Sequence, residues 1–142
     1  MRNGEREDAL SSLAPRGIHG TVLVVDDDRA LVGRVGRLLV AAGYRVLVAR
    51  SLEALGVAHE VQPGAIVLGP TLVGRNAAGL VGLLRALPMT AVIPLVVLAT
   101  PEGWAGGARL AVDAVAPLPG DAGPLCATLA RWLWGGHGDA VA

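Results

Sequence analysis

The chain has 142 residues, enough for one domain with a substantial core, and 53% of them are hydrophobic against 17% charged. Its twelve acidic and twelve basic residues cancel, and the basic ones, all arginine, are scattered, which argues against nucleic-acid binding through a basic stripe. No uninterrupted apolar run reaches the about 20 residues of a membrane span, and the charged start MRNGEREDAL does not suit a secretory signal. A single cysteine, Cys126, excludes an internal disulfide, so a cytoplasmic protein without membrane or nucleic-acid partners is expected.

Residues 1–20 mix charge, Ser, Gly and Pro without periodicity and read as a flexible arm. Thr21–Val25 is a continuous apolar strand, the pattern of a strand covered on both faces, and it delivers Asp26 and Asp27 at its carboxyl end. Leu31, Val32, Val35, Leu38, Leu39 and Ala42 recur at helical spacing, with Asp28 placed to cap the helix and Gly43 to end it. Arg45–Ala49 is a second strand, and Ser51 is placed to cap a helix running to about Val61.

Ala65–Leu68 is a short buried strand, followed by a loop, GPTLVGRNAAG, and a helix carrying Leu80, Leu83, Leu84 and Leu87. Ile93–Leu98 is the fourth strand, with a short helix between about Glu102 and Leu110, and Asp113–Ala116 is the fifth. A last helix runs from Pro124 to Trp134, and residues 135–142 read as a flexible tail around the domain of residues 21–134.

This alternation predicts an α/β fold: a five-stranded parallel sheet in the order 2-1-3-4-5, with helices on both faces and right-handed crossovers. In such a sheet the site lies beyond the carboxyl ends of the strands, at the switch point between strands one and three. Asp26, Asp27 and Gly69 are expected to meet there.

VLVVDDD followed by RAL and AAGY, then PGAIVLG, GLVGLLRAL, IPLVVLAT and AVDAVAPLP, come in one order at consistent spacing. From Thr21 to about Leu133 the chain resembles the receiver domain of two-component response regulators, a flavodoxin-like fold similar to the chemotaxis receivers. That resemblance implies five groups with separate duties. Two acids after strand one hold a Mg²⁺ that neutralises the incoming phosphoryl group, and these match Asp26 and Asp27. A carboxylate ending strand three is the nucleophile, and its position here is Gly69. A Thr or Ser ending strand four matches Ala99, unless strand four slides by one residue and brings Thr100 there. A lysine before Pro119 matches Leu118.

Composition does not explain these three departures. Loss of lysine in a chain rich in arginine would leave arginine, yet Leu118 is apolar, and aspartate still occurs seven times. The resemblance therefore implies a degenerate pseudo-receiver: a stand-alone module of two-component or phosphorelay type that is no enzyme and acts by protein–protein contact. It requires no cofactor and retains at most a weak Mg²⁺ site at Asp26 and Asp27. Its partner is another signalling protein or a second copy, met through the fourth helix, fifth strand and fifth helix. Trp104, Val115 and Trp134 are the contact candidates, Trp134 pointing about 200° round the helix from Trp132.

Two other readings start from the same acids. A response regulator could take a phosphoryl group on an unconventional acceptor, Asp26 or Asp27. More remotely, Asp26-x-Asp28 after an apolar strand resembles the nucleophile motif of haloacid-dehalogenase-like phosphatases, although the late acidic pair of that family is missing.

Overall fold

Runs of Val, Ile, Leu and Ala bounded by turn residues form the sheet in the computed structural model, which describes residues 20–73, 77–99, 111–117, 121 and 123–135. The strands β1 (Thr21–Val25), β2 (Arg45–Ala49), β3 (Ala65–Leu68), β4 (Leu95–Ala99) and β5 (Ala114–Pro117) lie in the order β2-β1-β3-β4-β5. All four pairings are parallel, as expected, and β1 sits between β2 and β3, with Val25 level with both Ala49 and Leu68. Two strands with a helix between them make a parallel pair at low loop cost, and this chain repeats that unit along its length.

Side chains alternate across a strand with period two, and the core divides accordingly. Val22, Val24, Val67, Val96 and Leu98 pack under helix α1 (Arg29–Ala41) and the C-terminal helix (Gly123–Ala130), which contribute Leu31, Val35, Leu39, Leu125 and Leu129. Leu23, Val25, Ile66, Leu68, Leu95 and Val97 pack on the other face under α2 (Ser51–Val61) and α3 (Ala77–Ala86). Burial of a Leu or Val side chain contributes about 1.5–3 kcal/mol. A sheet filled on both faces therefore outweighs the mediocre helix propensity of the glycine-containing helices.

Several local expectations need correction. Asp28 does cap α1, its Oδ1 accepting from the N–H groups of Ala30 and Leu31. Ser51 is not the cap of α2 but its first residue; Arg50 precedes it as cap, and the Ser51 hydroxyl is used elsewhere. The loop after β3 contains a helical turn, Pro70–Val73, and a second turn, Pro88–Ala91, follows α3.

Leu87, expected on this helix, lies just past its end and caps the following turn; it and Leu83 are 39% and 54% exposed, while the buried stripe of α3 runs through Ala77, Leu80, Val81 and Leu84. Position 83 is about 100° off that stripe. Strand four begins at Leu95 and not Ile93, whose N–H closes the turn onto the Thr90 carbonyl. Strand five is displaced by one residue to Ala114–Pro117, and the last helix widens after Ala130 into a π-helical turn, Arg131–Gly135. The expected arm up to residue 19, the helix over 102–110 and the tail from residue 136 lie outside the described residues.

Candidate functional site

At the carboxyl ends of β1 and β3 the backbone places residue 69 directly beside Asp26. The Gly69 N–H donates to the Val25 carbonyl at 2.8 Å, extending the β1–β3 ladder to the last residue before Asp26. The expected switch point is thus present, and it brings Asp26 and Gly69 together, while Asp27 turns away towards Ser51.

The three consecutive aspartates face three different elements. Asp26 is only 2% exposed; its Oδ1 accepts from the Asp28 N–H at 2.9 Å and its Oδ2 from the Thr71 N–H at 3.1 Å. Asp27 is half-buried and turns towards α2, where Oδ1 accepts from the Ser51 N–H at 2.8 Å and Oδ2 from the Ser51 hydroxyl at 2.9 Å. Asp28 caps its own helix. A carboxylate oxygen that accepts from a backbone N–H is well satisfied, so each acid has a structural reason to stay where it is.

The most informative distance concerns an atom that Gly69 lacks. A Cβ built on Gly69 would collide with Asp26 Oδ2 and lie 2.7 Å from its Cγ and 2.8 Å from its Cβ. The Asp26 side chain therefore stands where a residue at 69 would place its own. No carboxylate can project from residue 69 while Asp26 keeps this rotamer.

This arrangement suits a divalent cation poorly. Mg²⁺ demands near-octahedral oxygen ligands at about 2.1 Å and is held by carboxylates that converge. Asp26 and Asp27 diverge, and all four of their oxygens already accept hydrogen bonds. Among the described residues no group of three or more His, Cys, Asp or Glu side chains is gathered for a metal. A cleft of about 230 Å³ opens on the β2 side of β1, bordered by Asp26, Arg29, Val48, Arg50 and Glu53, and is separated by Asp26 from Gly69.

Ala99 ends β4, 5% exposed, level with Pro117 and packed in the apolar cluster that includes Leu68 and Leu72. It offers no hydroxyl to the site. Val115 lies on β5, at one end of the strand order, and is 40% exposed. Thr100, Trp104 and Leu118 lie outside the described residues, as does the side chain of Trp134. Ser51 and Thr71 were not anticipated as partners of the acids. Ser51 had a legible signal, since it follows a strand that must end beside Asp27; the Thr71 contact uses only backbone and leaves no trace in residue type.

No protein-family model matches the sequence, and no curated protein does. Solved structures do. Chemotaxis protein CheY4 of Vibrio cholerae is 25% identical, with 79% of this chain and 97% of that chain covered and a TM-score of 0.67. The receiver domain of a sensor histidine kinase from Pseudomonas aeruginosa, determined with a magnesium ion coordinated in its active site cleft, aligns at a TM-score of 0.72. It is 19% identical over 83% of this chain and 98% of that chain. The signal receiver domain of a histidine kinase from Syntrophus aciditrophicus aligns at 0.69 with 21% identity, over 82% and 91% of the two chains. The chain has the receiver-domain fold, and its structural neighbours are receiver domains of two-component signalling.

Proposed function

We propose that this protein is a receiver-like signalling module that acts by protein–protein contact in the cytoplasm and neither takes up nor transfers a phosphoryl group. The observation that supports this best is the position of the Asp26 side chain, which fills the space a carboxylate on residue 69 would need. Phosphoryl transfer depends on a positioned nucleophile and on compensation of the incoming charge. Gly69 supplies no nucleophile, Ala99 supplies no hydroxyl, and Leu118 carries no charge.

The reading in which Asp26 or Asp27 is itself the acceptor gains no support from the geometry. Asp26 is buried with both oxygens bonded, and Asp27 is bound to Ser51 through both of its own. The module needs no metal for the role proposed here. Its partner is another signalling protein or a second copy, and the exposure of Val115 on β5, at one end of the strand order, supports a contact there.

Incubation with Mg²⁺ and acetyl phosphate, followed by intact mass, tests the reading. No gain of a phosphoryl group is expected. A stoichiometric, base-labile adduct lost in Asp26→Asn or Asp27→Asn would overturn it in favour of the unconventional acceptor.

A further inference from the structure

We infer that Asp26 and Gly69 form an interlock that holds the turn after β3 in one conformation, so that this end of the sheet presents a constant surface. The inference rests on the function proposed above, and adds what replaces the phosphoryl group as the organiser of that turn.

Glycine is usually placed either for an unusual backbone or for close approach. Among the described residues only Gly43 and Gln62 have positive φ, so residue 69 needs no glycine for its backbone. It is buried, and what its missing side chain permits is the approach of Asp26. The carboxylate then does two things at once. It accepts from the N–H of Thr71, 45 residues further along the chain, within the helical turn Pro70–Val73. It also accepts from the Asp28 N–H at the start of its own helix.

Leaving a buried carboxylate without donors is costly, so the two N–H groups fix the Asp26 rotamer. That rotamer in turn forbids any side chain at residue 69. The two residues thus require each other, and the turn they hold has a built-in side-chain acceptor in place of a transient phosphoryl group. A switch needs two states that a ligand can bind differently. Here the group that holds the turn is the side chain of the residue following β1 and cannot leave, so the module is constitutive, and its output is set by its abundance and by its partner.

The test compares wild type, Gly69→Ala, Asp26→Ala and the double variant by urea unfolding, with hydrogen exchange at the Thr71 amide as a second readout. Gly69→Ala is expected to lower the unfolding midpoint much more in wild type than in Asp26→Ala, a non-additive cycle. The Thr71 amide is expected to exchange about tenfold faster or more in Asp26→Ala. If Gly69→Ala does not fold, a double variant that does fold gives the same answer. Equal losses in the two backgrounds, or no loss in either, would overturn the interlock, as would unchanged Thr71 exchange. Phosphoryl uptake by wild type, read separately by mass, would overturn the function it rests on, while the cycle still decides whether the interlock exists.

Discussion

Arg85, on α3, reaches Asp113, just before β5, with Nη2 2.8 Å from Oδ2. The same oxygen accepts from the Leu95 N–H at 2.7 Å, where β4 begins. The guanidinium also donates to the carbonyls of Ala91, Ile93 and Ala111, so one planar group fastens a helix, a turn and the entries to two strands. Both side chains are about three-quarters covered, at 25% and 29% exposure.

Arg85→Ala should therefore cost more than an ordinary surface pair, about 2–3 kcal/mol, since it frees three carbonyls and one carboxylate together. Arg85→Lys should recover less than half of that, because an ammonium cannot serve acceptors spread over a planar fork. Urea midpoints of the two variants check both statements.

Asp28→Ala removes the acceptor for two N–H groups at the start of α1. A loss of about 1 kcal/mol is expected, with Asp28→Ser retaining most of the stability. Ser51→Ala tests Asp27 in the same way: it removes the hydroxyl bond and keeps the backbone one, so its cost should be smaller, about 0.5–1 kcal/mol. Thermal or urea unfolding distinguishes the two.

The glycines should divide by location. Gly43 ends the α1 segment at φ 103°, where a side chain is strained, and Gly43→Ala should destabilise by at least about 1 kcal/mol. Gly56 in α2 and Gly82 in α3 have open space where a Cβ would go. Substitution of each by Ala should stabilise by about 0.5–1 kcal/mol through helix propensity. A stability series in which all three shift in the same direction would contradict this division.

Tyr44 is buried under the α1 face, and burial, with the nearby Cys126 adding to it, pushes its hydroxyl up from the ordinary 10.0 to about 12. The folded state then holds the phenol proton more tightly than the unfolded state. The tyrosine contribution to stability is complete below pH 10 and is lost as pH rises towards about 12. Ultraviolet titration of this one tyrosine should show ionisation displaced to that range, and Tyr44→Phe should remove the step. Burial also raises the Cys126 thiol, so its labelling at neutral pH should be slow until the protein is unfolded.

The strands and their order were legible because both sheet faces are covered. Val22 to Val25 and Ala65 to Leu68 are apolar without interruption, and only a two-sided core explains that pattern. The position of residue 69 followed from the same counting. The use of Asp26 did not, because a glycine chosen for space and one chosen for backbone look identical as letters, and the deciding partner is a peptide N–H. Which leucines of α3 are core was not legible either: in a chain this apolar, leucines such as Leu83 also occupy the outer face of a helix, and overlapping stripes share the same spacing.

The three aspartates at the end of β1 tie the opening unit to itself, to the second helix 24 residues on and to the turn 45 residues on. They act as tie-rods for the fold. On the function proposed above, the acids after the first strand brace this chain and do not mark it as one that takes up a phosphoryl group. The room at the end of the third strand, which the Asp26 side chain fills, is the feature on which the proposed function turns.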